Sequence, residues 1–374
     1  MGKGTNFISE IGKYFKDNDA TSAINQIMDI TRTLNFSEKR LFGEESRCNC
    51  KYSQLQVLQL LLLFPCFMIK NAFNYSTSSL CGIADCGKDV FYRFLSREDY
   101  DWRKILINIT TQLWHKTQAS TERDDKTPVC LMVDDTDYPK RGIQTEMIGK
   151  VFSHVEHKMI LGFKGLFLGI TDGATQMLMD FCLVGEKGKK GTYNMKQKQL
   201  DARFSKDRKE DSHTAMRVKE YDESKITLMI EMIKRLISRK IHFDYILADS
   251  WFACAEVIKF VTSRHIKCHY LGMIKMGKTK YRYNRKDYTA KALVALFDHP
   301  KKGRKFCRSL GCYYVTVDVE FAGRKVRLFF TKRNKKSDWN ALITTNTKLE
   351  FKEAYHIYSM RWSLEVVFKD SKGN

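Results

Sequence analysis

Proline is scarce, with four residues in 374, too few for long proline-rich linkers or a low-complexity chain. Long apolar runs are missing too. The one extended run, Val57 to Ile69, carries Gln59 and Pro65 and is too short to span a bilayer, so it reads as a buried helix and no membrane partner is expected. A secretory leader is not expected from the opening residues. The eleven cysteines are odd in number and lack a framework spacing, and Cys130, Cys182, Cys254 and Cys268 fall inside apolar runs. Buried free thiols in a reducing cytoplasm are the expectation. Cys48-x-Cys50 is too short for a zinc knuckle and Cys81-x4-Cys86 too loose. Acidic residues are the last shortage, 43 against 65 Lys and Arg, for a net charge of +22. That surplus favours a polyanion, most simply nucleic acid, because counterions are released on binding. What remains is a globular composition, 43% hydrophobic and 12% aromatic, long enough for two or three modules.

Residues 1–125 are expected to be helical, from the apolar spacing in Ser22 to Leu34, Ser53 to Phe64 and Asp101 to Trp114. Between the last two, a glycine-containing turn precedes a short basic-aromatic helix. There Lys88, Tyr92 and Arg93 would face DNA if this is a helix-turn-helix, while a plain helical bundle fits the pattern equally well. Thr117 to Lys126 reads as a linker.

Residues 126–276 have α/β character. Val129 to Val133 is an apolar strand running into Asp134-Asp-Thr-Asp137. Two further strands, Met159 to Ile170 and Gln176 to Val184, flank the turn Thr171-Asp-Gly-Ala. Residues 186–220 are polar, with eleven Lys and Arg and six acids, and read as a solvated excursion that contacts DNA and orders on binding. After a helix over Ile226 to Ile241, Tyr245 to Ala248 is a buried strand with Asp249 at its end. This is where open α/β sheets place their sites, although a helix cap would explain Asp249 as well. His269 to Ile274 is another strand. Residues 277–340 hold 18 Lys and Arg against 5 acids, more than half of the net charge. Tyr313 to Phe321 and Lys325 to Phe330 alternate as a hairpin there. In residues 341–374 a strand, Ala341 to Thr345, leads into the terminal helix.

That helix carries Tyr358, Arg361, Glu365, Lys369 and Lys372, spaced three, four, four and three residues apart. At about 100° per residue they form one polar stripe, with Met360, Leu364 and Val367 opposite. Spacing alone fits a solvated amphipathic helix equally well. The residue types, however, match Tyr-x2-Arg-x3-Glu-x6-Lys at every position, and Trp362 follows Arg361. This resembles the signature of bacterial insertion-sequence DDE transposases of the "IS-four" branch. The segment Phe91 to Leu95 with Trp102, and the basic β-rich stretch 277–340, are also similar to parts of that family.

The resemblance implies an α/β, RNase H-like catalytic core, a mixed sheet flanked by helices, with a β-rich insertion and an N-terminal helical DNA-binding domain. It implies three carboxylates that hold two Mg²⁺ ions, with Mn²⁺ as a substitute: Asp134 or Asp135, then Asp249, then Glu365. The sequence leaves Asp134 and Asp135 open, because a shift of one residue turns a strand side chain to the other face, and Asp137 is a weaker third. By the same resemblance Arg361 and Lys372 contact phosphates at the transposon end, Lys369 does likewise, and Tyr358 stacks or hydrogen-bonds near the cleaved strand. The implied activity is metal-dependent cleavage of element ends and strand transfer into target DNA, by a homodimer on double-stranded DNA in the bacterial nucleoid. Relatives continue well past the position of Asn374. A truncated DNA-binding inhibitor and an RNase H-like nuclease without transposition are therefore the other two readings.

Overall fold

The computed structural model describes residues 36–46, 49–82, 84–120 and 127–373, together with Asp29, Thr33 and Leu34. Most of the expected helix Ser22 to Leu34 lies outside them, as does Cys48. The chain divides into two compact units, one drawn from residues up to Ala119 with Asp207–Val218 and residues from Lys369 on, the other from Ser120–Lys206 and Lys219–Phe368.

The first unit is helical. Helix α1 (Glu38–Phe42) starts at Ser37, whose side chain accepts from the Arg40 N–H, and ends at Gly43 in the left-handed region. Helix α2 (Gln54–Leu63) opens with a capping box between Ser53 and Gln56. It buries Val57, Leu58, Leu60 and Leu63 against α3 (Lys88–Leu95) and the start of α4 (Trp102–Ser120). The core is aromatic: Phe64, Tyr75, Phe91, Phe94 and Tyr100 pack with ring centroids mostly near 5 Å apart. Because α4 runs to Ser120, the first part of the expected linker is helix, and residues 121–126 are outside the described chain. The segment from Asp207 is held by Arg208 against Glu98 at 3.3 Å and by the Thr214 hydroxyl donating to the Glu98 carbonyl.

The second unit is built on a twelve-stranded sheet. Strands β1 (Cys130–Pro139), β2 (Gly149–Ser153), β3 (Lys158–Thr171) and β4 (Gln176–Val184) are antiparallel neighbours, with β3 between β1 and β4 and also pairing β2. The short helix α5 (Gln197–Asp201) follows; the chain then contributes α6 (His213–Lys219), nearly all of it counted with the first unit, before α7 (Lys225–Ser238). Strand β5 (Tyr245–Ala248) pairs parallel with β1, α8 (Ala255–Val261) returns, and β6 (His269–Ile274) pairs parallel with β5. Three antiparallel strands followed by two parallel ones, in the order β4-β3-β1-β5-β6, make an RNase H-like core.

Strands β7 (Lys280–Tyr283) and β8 (Lys286–Thr289), helix α9 (Ala290–Phe297), and strands β9 (Lys305–Cys307), β10 (Cys312–Phe321) and β11 (Arg324–Lys332) form the basic insertion. Its hairpin β10–β11 joins the core through β12 (Asn340–Thr344), which pairs with both β11 and β6. One continuous sheet therefore carries both parts. The chain closes with α10 (Phe351–Ser359) and α11 (Trp362–Gly373).

Strand alternation separates two faces. Cys130 and Met132 of β1, Tyr245 and Leu247 of β5, and Leu271 of β6 pack with Phe351, Ala354, Ile357, Leu364 and Phe368 of the terminal helices. Helix α7 lies on the other face, where Met232 touches Cys182 of β4.

Three expectations are corrected here. The acidic run lies inside β1 rather than after it, because β3 pairs with β1 as far as Pro139 whereas β5 stops at Val133. The excursion after β4 is not merely solvated: Tyr193, Met195 and Tyr221 pack with Ile148 and Phe163, and the Arg203 guanidinium stacks 3.8 Å from the Tyr193 ring. These aromatics are irregularly spaced, so periodicity could not reveal them. The terminal helix is two helices. At Met360–Arg361 the backbone N–H groups of Arg361, Ser363 and Leu364 donate three residues back, a tightened turn between α10 and α11.

Candidate active site

The register of β1 on β5 decides which acids meet. Cys130 lies beside Tyr245 and Met132 beside Leu247, and two residues further on along the same face stand Asp134 and Asp249. Asp249 follows the last residue of β5, and its Oδ1 accepts the Trp251 backbone N–H at 2.9 Å, turning the chain toward α8. Asp134 is inside β1, and its Oδ1 accepts the next backbone N–H, that of Asp135, at 2.9 Å.

Arg361 reaches this point from the α10–α11 junction. Its Nη1 donates to Asp134 Oδ2 at 2.6 Å and its Nη2 to Glu365 Oε1 at 2.8 Å. One guanidinium thus ties a carboxylate of β1 to a carboxylate of α11. Arg361 is 9% exposed, and its Nε is buried without a partner, as is the Tyr358 hydroxyl. The guanidinium carbon lies 5.8 Å from the Tyr358 ring centre.

The electrostatics show a negative charge only partly balanced. Burial pushes the Asp134 carboxyl up to about 6; Arg361 and the Asp135 N–H oppose that, and the Asp249 and Asp135 charges add to it. The Tyr358 phenol is raised by burial, against Arg361 and with Asp249 and Asp134. Burial works against a charged Arg361, yet Tyr358, Asp134 and Glu365 together lift it above its usual value.

Asp135 and Asp137 point the other way. Asp135 Oδ2 meets Lys225 Nζ at 2.9 Å, and that ammonium lies 5.0 Å from the Trp251 ring centre. Asp137 pairs with buried Lys164, its direct neighbour on β3.

Lys88, Tyr92 and Arg93 are exposed on α3, away from buried Phe91 and Phe94. The backbone of Lys369 and Lys372 is in α11, but their side chains fall outside the described residues.

Two site neighbours carry no sequence signal. Tyr270 of β6 is fully buried, and its phenol is raised by burial and then by the Asp249 charge. Its hydroxyl lies only 2.5 Å from where a Cβ on Gly272 would stand. Lys225 is the first residue of α7, and nothing in its surroundings in the sequence ties it to Asp135.

In donor chemistry Asp134, Asp249 and Glu365 suit a hard divalent cation. Their present arrangement is closed, because Arg361 fills the space between Asp134 and Glu365. Among the described residues no group of three or more Asp, Glu, His or Cys converges on one point.

No curated protein matches the chain. Among solved structures it is similar to a piggyBac transposase in a synaptic complex with hairpin DNA, at 12% identity and a TM-score of 0.44 over 92% of this chain and 67% of that one. It is also similar to the NurA nuclease from Sulfolobus solfataricus, at 10% identity and a TM-score of 0.29 over 68% of this chain and 83% of that one. The family model described as DDE superfamily endonuclease matches residues 77–290, a span that includes Asp134 and Asp249 and stops before Glu365. With more than half of its length matched, the chain belongs to the DDE superfamily endonucleases.

Proposed function

We propose that this endonuclease is a cut-and-paste transposase of the insertion-sequence type, with Asp134, Asp249 and Glu365 as its catalytic carboxylates. It hydrolyses the phosphodiester at each element end and joins the freed 3′-hydroxyl to target DNA, working as a homodimer on DNA in the nucleoid. The observation that carries the reading is the meeting of Asp134 and Glu365 on one guanidinium, with the charge of Asp249, just past the end of the next strand, acting on Asp134. Of the two acids left open by the sequence, Asp134 is favoured because it shares a face with Asp249, whereas Asp135 is taken up by Lys225.

DDE nucleases are typically dependent on a divalent metal. Mg²⁺, with Mn²⁺ as substitute, is the proposed cofactor; bound to the three carboxylates it would supply Lewis-acid polarisation of the scissile phosphate. The protein's own groups orient the DNA. The unpartnered Nε of Arg361 and hydroxyl of Tyr358 suit phosphate oxygens, the first as part of a planar fork. Lys369 and Lys372 on α11, Lys88, Tyr92 and Arg93 on α3, and the basic insertion are further proposed contacts to DNA.

The test is a cleavage and joining assay on DNA bearing the flanking repeats of the gene. Glu365→Gln is expected to lower both steps by on the order of a thousandfold or more, while DNA affinity at matched salt stays within about threefold. An equally active variant removes Glu365 from the mechanism. Hydrolysis without joining by the wild type would replace the transposase by a nuclease.

A further inference from the structure

A site meant for divalent cations holds a cation already. Arg361 occupies one oxygen of Asp134 and one of Glu365 with its two terminal nitrogens, and those are oxygens a metal would need. The guanidinium is buried and stays protonated at any working pH, so it leaves by moving and not by losing its charge. Among the described residues, Lys225 is engaged with Asp135 on the opposite face and does not take its place.

Two further observations point to what moves it. Nε of Arg361 is buried with no partner, and so is the Tyr358 hydroxyl, leaving one edge of the guanidinium and a neighbouring donor unsatisfied. Such an arrangement is costly unless another group completes it. A phosphodiester fits, since its oxygens match the fork of a guanidinium. Arg361 also sits in the tightened turn between α10 and α11, and short stretches of this kind mark hinges within helices.

We propose that Arg361 is a built-in counter-cation that keeps divalent metal out of the DNA-free protein and yields its place when a DNA phosphate draws the guanidinium away. The proposal rests on the assignment of Asp134 and Glu365 as metal ligands. It makes metal binding and DNA binding mutually dependent, each strengthening the other by the same factor.

The experiment is Mn²⁺ binding to the full chain, read as loss of the free-ion signal in electron paramagnetic resonance, with and without a short duplex of random sequence. Without DNA, Arg361→Gln is expected to bind Mn²⁺ at least about tenfold more tightly than wild type, an effect of the usual size for coupled sites. DNA is expected to tighten wild-type binding by a similar factor and to leave the variant nearly unchanged. Arg361→Lys keeps a charge but cannot span both carboxylates. It should bind Mn²⁺ several-fold more tightly than wild type, and carries the test if the glutamine variant does not fold.

Equal or weaker binding by both variants overturns the proposal, as does a wild-type affinity indifferent to DNA. Adding Glu365→Gln to Arg361→Gln separates the two claims. If this double variant binds Mn²⁺ more weakly than Arg361→Gln while wild type and Arg361→Gln bind alike, the counter-cation fails and the ligand assignment stands. If the double variant binds as tightly as Arg361→Gln, Glu365 is not a ligand, and the reading beneath the proposal fails with it.

Discussion

The two faces of β1 carry acids in the same short run and treat them in opposite ways. On the α7 face each carboxylate has its own ammonium: Asp135 has Lys225 and Asp137 has Lys164. On the terminal-helix face Asp134 and Glu365 share one guanidinium, and Asp249 adds charge enough to raise Asp134 further. A matched pair is a structural device, complete as it stands. A shared and incomplete set keeps unsatisfied polar groups in a buried place, which folding alone does not favour. Under the proposed function, the contrast separates acids that hold the sheet together from acids positioned to act.

Removing one acid from each face should break that contrast most visibly. Asp249→Asn is expected to lower DNA cleavage by on the order of a thousandfold, with the folded protein intact. Asp135→Asn should leave cleavage by the folded fraction within about tenfold, since it disturbs a neighbouring pair and not the reacting groups. Cleavage rates on one substrate, corrected for the folded fraction, decide it. Equal losses from the two variants would erase the distinction between the faces.

Stability should order the faces differently. Lys164 is 4% exposed at its side chain and faces Asp137 directly across the ladder. Lys164→Met leaves the Asp137 carboxylate without its buried partner, at a cost of about 3–5 kcal/mol. The double variant with Asp137→Leu should recover most of this, because an apolar pair of similar volume avoids desolvating charge. Urea midpoints of the three proteins measure it.

Burial gives Asp134 a pH signature of its own. Its carboxyl titrates near 6 in the folded protein and near about 3.9 in the unfolded chain. Between those values the folded state holds a proton that the unfolded state has released, so stability falls as pH rises through this window. Relative to Asp134→Asn, wild type is expected to lose roughly 2–3 kcal/mol from pH 4 to pH 6.5. Urea denaturation across that range checks it, and a flat difference would mean that the Asp134 site is wetter than its burial implies.

Much of this was legible in the sequence, for reasons that can be named. The apolar runs Val129 to Val133 and Tyr245 to Ala248 were legible as buried strands, and an acid straight after such a run, as Asp249 is, points to a strand-end site, although β1 continues through its own acids to Pro139. Within the terminal stretch the step from Arg361 to Glu365 was readable because helix spacing is fixed, and the two side chains do meet. The choice between Asp134 and Asp135 was not readable, since alternation assigns faces only once a partner strand sets the register, and Met132 beside Leu247 is such a register. The break at Met360–Arg361 was likewise silent, with no proline or glycine in the sequence to announce it. The partners Lys225 and Tyr270 come from other elements, and only tertiary packing brings them in.

Gly272 offers the finest test of how the Asp249 strand end is supported. Residue 272 of β6 lies beside Ala248 of β5, and a Cβ there would stand 2.5 Å from the Tyr270 hydroxyl and 2.8 Å from the Ala248 carbonyl oxygen. The phenol ends where any larger residue would place its side chain. Gly272→Ala must therefore displace both a buried ring and a strand backbone next to Asp249, at a cost of about 1–3 kcal/mol. Tyr270→Phe in the same chain removes the nearer oxygen and leaves both the carbonyl and the ring carbon Cζ, each 2.8 Å from that Cβ, so it should restore only part of the loss. Full restoration would place the whole strain on the phenol oxygen; no restoration would leave it with the ring carbon and the backbone of β5, and a fall of cleavage along with stability would then single out the backbone, because Asp249 follows that carbonyl directly. Thermal midpoints and cleavage rates of the single and double variants, taken together, distinguish a ring that merely fills space from a strand end held in place for Asp249.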